Sequence, residues 1–215
     1  MNTQPIIVFD SGIGGLSIYR PLKQTLPNHN IVYQTDSNNF PYGDKTPAWL
    51  SSRFTELAKS FSDLGPQLRG LACSSAATTI ISHLRSLLPC PVVGVEPVIK
   101  PLSQYRSALA LMTQISANST TTSELLARHG SHVRVFIPIG LATAIEYNDY
   151  EQVKKNIHEI KEIVQEYQVE AVGLSCTHYP LIISSLKQAM PNVTFIDPSS
   201  AVVREVVRVL KLSEI

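Results

Sequence analysis

Two cysteines stand in matching settings far apart in the chain. Cys73 lies in Leu71-Ala72-Cys73-Ser74-Ser75, and Cys176 lies in Leu174-Ser175-Cys176-Thr177-His178. Each follows a short apolar run that reads as a buried strand, and each precedes hydroxyl residues and a helix-like segment. The C-terminal end of a parallel strand, facing a helix N-terminus, is where α/β folds put their ligands. The helix dipole there lowers a thiol pKa. Two thiols facing one substrate from opposite sides suit a defined chemistry: one removes a proton from a carbon and the other returns one to its opposite face. An isolated cysteine in an apolar strand is more often inert packing, so the neighbours decide. His178 can hold a thiol–thiolate balance for Cys176, and Asp10 can do the same for Cys73. Cys90, between two prolines, reads as structural. Cys176 and His178 offer two metal-type ligands without partners, so no metal is expected.

Other segments could complete such a site. Phe9-Asp10-Ser11-Gly12-Ile13-Gly14-Gly15 places an acid at a strand end before a glycine-rich turn and a helix. Glycine permits close backbone approach, and a helix N-terminus favours an anion; a tight turn capped by Asp10 is the plainer reading. The spacing is not that of the dinucleotide fingerprint. Pro41-Tyr42-Gly43-Asp44 forms a polar loop after a second strand end, on the same sheet edge as Asp10, or simply a turn. Thr113 and Ser116 follow another strand and could donate to a carboxylate or cap a helix. Glu96 and Glu146 adjoin apolar runs, where surface or capping roles are the common ones.

The elements that must position these residues alternate along the whole chain. Strand-like runs cover 6–9, 31–35, 68–72, 92–95, 108–112, 133–137, 171–174 and 193–196. Helix-like runs cover 49–64, 76–88, 122–128, 150–167, 181–189 and 201–212. Several strands are continuous apolar runs, as expected of parallel strands covered on both faces. In the 150–167 run Val153, Ile157, Ile160, Ile163, Val164 and Tyr167 share one face. Intervening helices imply right-handed crossovers and parallel sheet. Glu96-Pro97 marks a crossing between two halves, one holding each cysteine, with the last helix able to return to the first half.

Composition narrows the function classes. The chain has 215 residues, 44% hydrophobic and 16% charged, with a net charge of +1. That length can bury a substantial core, and the near-neutral balance gives no case for nucleic acid or an acidic membrane. No apolar run reaches the roughly 18 residues of a membrane span. The early first strand points to a chain without a signal peptide. Three cysteines without a pairing or metal pattern predict free thiols in a reducing cytoplasm.

Four stretches in order resemble the glutamate racemases of the cofactor-independent aspartate/glutamate racemase superfamily. They are Phe9-Asp10-Ser11-Gly12-Ile13-Gly14-Gly15-Leu16-Ser17, Pro41-Tyr42-Gly43-Asp44, Ala72-Cys73-Ser74-Ser75-Ala76 and Cys176-Thr177-His178-Tyr179-Pro180. Val93-Gly94-Val95-Glu96-Pro97 and Ile196-Asp197-Pro198-Ser199 support the resemblance, which spans nearly the whole chain.

The resemblance implies two parallel-sheet α/β domains related by a pseudo-twofold axis, with the active site in the cleft between them. The domains would be 1–96 plus 199–215, carrying Cys73, and 97–198, carrying Cys176. Cys73 and Cys176 would be the acid–base pair, assisted by Asp10 and His178 respectively, with Glu146 also implicated. Ser11, Pro41, Tyr42, Gly43, Ser74, Ser75, Thr113, Ser116 and Thr177 would hold the amino-acid substrate. The implied activity interconverts L- and D-glutamate without a cofactor, in a cytoplasmic enzyme that supplies D-glutamate for peptidoglycan; a homodimer is common in such enzymes. Three departures stand out. Ser74-Ser75 replace the family's usual Asn-Thr, Ile137-Pro138 replace its usual Cys-Pro, and a last strand-like stretch is missing after the final helix. Ser74 motivates a rival substrate such as aspartate. The altered loop and shorter end motivate a ligand-binding protein that keeps the scaffold without the catalysis.

Overall fold

Eight strands and ten helices follow one another in the computed structural model, which describes residues 4–62, 65 and 68–211. The first half carries β1 (Ile6–Asp10), α1 (Leu16–Thr25), β2 (Ile31–Thr35), α2 (Pro47–Ser62), β3 (Leu68–Leu71), α3 (Ser74–Leu87) and β4 (Val92–Gly94). There follow α4 (Ile99–Leu102), β5 (Ala108–Leu111), α5 (Gln114–Ala117), α6 (Thr120–His129), β6 (Arg134–Phe136) and α7 (Leu141–Glu146). Then come α8 (Tyr150–Glu166), β7 (Ala171–Leu174), α9 (Ile183–Ala189), β8 (Thr194–Ile196) and α10 (Ser199–Leu210).

Every strand pairing is parallel, in two four-stranded sheets ordered β2-β1-β3-β4 and β6-β5-β7-β8. Counted within each sheet, the strand order is the same, second-first-third-fourth. The central strands β1, β5 and β7 are buried along their length, which is why they read as unbroken apolar runs rather than alternating ones.

Side chains alternate across each strand, so each sheet has a core on both faces. From β1, Ile7 and Phe9 join Leu50 and Phe54 of α2 and Ile80 and Leu84 of α3. Ile6 and Val8 point the other way, to Ile18 and Leu22 of α1 and Val202, Val203, Val206 and Val207 of α10. The final helix thus packs on the first sheet. In the second sheet Leu109 and Leu111 meet Ile145 of α7, Ile160 of α8 and Leu186 of α9. Ala108 and Ala110 face Ile99 and Leu102 of α4.

Some helices differ from expectation. The anticipated 181–189 helix is a 3-10 turn, Tyr179–Ile182, followed by α9. The short helices α4, α5 and α7 were not anticipated as helices. The far ends of the expected 49–64 and 201–212 helices lie outside the described residues.

Candidate active site

Strand β1 ends on Asp10, β3 leads through Ala72 to Cys73, β5 leads through Met112 to Thr113, and β7 leads through Ser175 to Cys176. These are the C-terminal edges of both sheets, and they open onto one cleft of about 380 Å³. Its wall includes Asp10, Ser11, Cys73 and the Pro41–Tyr42–Gly43 loop from one half. Thr113, Cys176, Thr177 and His178 come from the other.

Cys73 is the N-cap residue of α3, with its side chain buried. The Ala76 N–H, in the first turn of that helix, favours charge on its sulfur. Ser11 Oγ lies 3.9 Å from the sulfur. Burial pushes the Cys73 thiol well up, and the Asp10 charge adds to that; the Ala76 N–H and the Ser11 hydroxyl oppose it.

Asp10 is fully buried. Its Oδ1 accepts the Ser11 N–H at 2.6 Å, and its Oδ2 accepts the Thr177 hydroxyl at 2.8 Å. Burial raises the carboxyl above its ordinary value, while the charge of His178 and these donors restrain the rise. The Thr177–Asp10 bond joins the two halves across the cleft floor.

Cys176 is as buried as Cys73, but its setting differs. The turn behind it is the 3-10 segment, whose N-cap is His178, so no α-helix N-terminus faces this sulfur directly. Its charge partner is instead the His178 imidazole, which hydrogen-bonds Glu146 and interacts electrostatically with Cys176. His178 Nε2 donates to Glu146 Oε2 at 2.7 Å, and the Ile13 N–H donates to the same oxygen at 2.8 Å. Burial pulls the imidazole pKa down, but Cys176 and Glu146 outweigh it and lift His178 to about 10. Burial likewise works against ionising Glu146, yet the His178 and Ile13 donors bring it below its ordinary value. The glycine-rich turn allows this approach. A Cβ on Gly12 would run into the Glu146 carboxylate, and one on Gly14 into His178 Nδ1 and Thr177 Oγ1.

The opposite wall is a run of hydroxyls. Ser75 Oγ and Thr113 Oγ1 are 3.0 Å apart across the two halves. The Thr113 hydroxyl donates to Ser116 Oγ at 3.0 Å. Ser74, Ser75 and Thr113 line the cleft, but Ser116 does not. Ser116 is fully buried behind Thr113 and also accepts from Thr78. A cis peptide joins Phe40 to Pro41, and Gly43 comes so close to Thr113 that a Cβ would sit 3.1 Å from its methyl. Glu96 is not on the wall.

Sequence reasoning missed Phe40, Gln114, Ile139, Ala142, Thr143 and Tyr179, which all line the cleft. Tyr179 was the most discoverable, since it adjoins His178; it is fully buried in the same cluster as Cys176. Gln114 opens a four-residue helix too short to show a pattern. Among the described residues, no group of three or more His, Cys, Asp or Glu side chains could hold a metal ion. No described helix is long and apolar enough to cross a membrane.

A model of the Asp/Glu/Hydantoin racemase family matches residues 9–206. The chain is 35% identical over 218 positions to the glutamate racemase of Pseudomonas syringae pv. tomato, covering 97% of this chain and 79% of that one. It superposes on Escherichia coli glutamate racemase, solved in complex with L-glutamate and the activator UDP-MurNAc-Ala. There the TM-score is 0.85 at 27% identity, over 99% of this chain and 84% of the other. Francisella tularensis glutamate racemase in complex with D-glutamate gives 0.83 at 26% identity, over 98% and 82%. Two like sheets with their strand ends on one thiol-bearing cleft, matched over nearly their whole length, place the chain in the Asp/Glu/Hydantoin racemase family. Within that family its resemblance is to the glutamate racemases.

Proposed function

We propose that this chain interconverts L- and D-glutamate by proton transfer between Cys73 and Cys176. The observation that carries the reading is the placing of both sulfurs on one cleft from two like sheets. Each has its own proton-holding neighbours: Asp10 and Ser11 for Cys73, His178 and Glu146 for Cys176. One thiolate takes the α-proton and becomes a thiol. The opposing thiol gives its proton to the other face of the carbanion and becomes a thiolate. One turnover therefore exchanges the protonation states of the two sulfurs, and the reverse reaction restores them.

A neutral thiol is a poor base, so the cleft must stabilise charge as it moves. The Ala76 N–H and the Ser11 hydroxyl meet charge on Cys73, and the His178 imidazolium meets it on Cys176. The hydroxyls of Ser74, Ser75, Thr113 and Thr177, with backbone N–H groups of the Tyr42–Gly43 turn, are the donors for the substrate's carboxylates. Preorganised donors in a water-poor cleft stabilise the carbanionic transition state more than the ground state.

The division that fits this reading is 1–96 plus 199–215 as one domain and 97–198 as the other, supported by the burial of the α10 valines against β1. D-glutamate for cell-wall peptidoglycan is the product role taken with it. The setting taken with this reading is the cytoplasm, where thiols stay reduced.

The test is proton NMR of the protein with L- and then D-glutamate in deuterated buffer without added pyridoxal phosphate. The expected result is loss of the α-proton signal with appearance of the other enantiomer; no exchange from either would overturn the reading. Ser74 on the cleft wall, where the family usually has asparagine, favours aspartate as the second substrate to assay.

A further inference from the structure

Behind the cleft lies a buried carboxylate that the racemisation scheme does not use. Asp36 follows β2, and its backbone N–H donates to the Asp10 carbonyl at 3.1 Å. Four donors converge on its side chain. Arg53 of α2 gives Nε and Nη2, each at 2.8 Å, to the two oxygens. The Tyr42 hydroxyl donates at 2.5 Å and Asn39 Nδ2 at 3.0 Å. The forked guanidinium–carboxylate pair sets orientation as well as attraction. Tyr42 is also held by its ring, which packs edge-on against Trp49 and Phe54. The Tyr42–Gly43 backbone then forms the cleft wall beside Thr113.

We infer that Asp36, clamped by Arg53 and Tyr42, is a positioning residue that sets the Tyr42–Gly43 wall at the height substrate binding requires. This rests on the racemase reading above. Asp36 touches no reacting atom, and Ser11 and Cys73 are held by other contacts. Its loss therefore weakens substrate binding more than proton transfer.

The experiment measures KM and kcat for glutamate racemisation by circular dichroism, with thermal unfolding, in wild type, Asp36→Asn, Arg53→Met and the double variant. Asparagine keeps the shape but turns an amide donor toward Arg53 or Tyr42. Arg53 is part-exposed, so its replacement keeps the question open should Asp36→Asn fail to fold. In each folded single variant KM is expected to rise roughly tenfold with kcat within about threefold. The double variant should be no worse than the poorer single, because the pair acts as one unit. Folded variants with unchanged KM, lowered melting temperature alone, or KM effects that multiply in the double variant would each overturn the inference. Wild type without racemisation would overturn the functional reading itself, and this inference with it.

Discussion

Cys73 and Cys176 are buried to the same degree, yet their sulfurs answer to different neighbours. Cys73 has a helix N–H and a buried acid; Cys176 has an imidazole tied to Glu146. Each thiol is needed in both directions, so Cys73→Ala and Cys176→Ala should each lower racemisation at least ~10³-fold, followed by circular dichroism of the product. His178 offers a pH test whose sign can be worked out. Its folded pKa of about 10 stands above the ordinary 6.5. Its contribution to stability is complete below the lower value and is lost as pH rises through the higher one. Thermal stability should therefore fall across that window in wild type, and fall less in His178→Asn. A melting series over pH that shows equal slopes would contradict this. At this scale much was legible, because chemistry-bearing residue types sat at strand ends. A sequence does not say which of two hydroxyls three positions apart stands in front; here Thr113 lines the cleft and Ser116 lies behind it. The Glu146–Ile13 contact bridges 133 positions, and nothing local in either segment announces it.

At the scale of elements, periodicity was informative where an element was long. Of the stripe expected along α8, Val153, Ile160 and Val164 are buried and Ile157 and Ile163 half-buried, while Tyr167, one residue past the helix end, is exposed. Helices of four to six residues make fewer than two turns and cannot show a stripe, so α4, α5 and α7 stayed hidden. The ends of helices over 3-10 turns are equally silent, which is why the segment after His178 was read as one helix. The turn from Gly12 to Gly15 leaves no room for added side chains. Gly14 is needed for space beside His178 and not for an unusual φ. Gly14→Ala should displace the imidazole and cut kcat roughly 10²-fold in a protein that still folds, as steady-state kinetics with far-ultraviolet circular dichroism would show. For α10, Val206→Ala removes buried methyl groups from the first sheet's outer core. It should cost about 2 kcal/mol, read as a lowered urea midpoint at constant slope.

At the scale of the whole molecule, two sheets of one strand order share a cleft that neither could enclose alone. The alternation of strand and helix foretold parallel sheets, but how the halves face each other depends on cross-cleft bonds such as Thr177 to Asp10. A bound amino acid should shield both cleft thiols together. Saturating glutamate is expected to slow alkylation of Cys73 and Cys176 by iodoacetamide while leaving Cys90, outside the cleft, at its original rate; peptide mass spectrometry would read all three. Equal slowing at Cys90, or none at the other two, would contradict a ligand seated between the sulfurs. The unequal company of the two sulfurs has one more consequence. Mirror-image substrates have equal free energy in water, so their equilibrium constant is unity whatever the catalyst. A helix terminus on one side and an imidazolium on the other can make the L-to-D and D-to-L turnover numbers differ, but each must then be matched by its own Michaelis constant. The lopsided cleft can favour one hand in speed at saturation, and never in the quotient that governs dilute substrate.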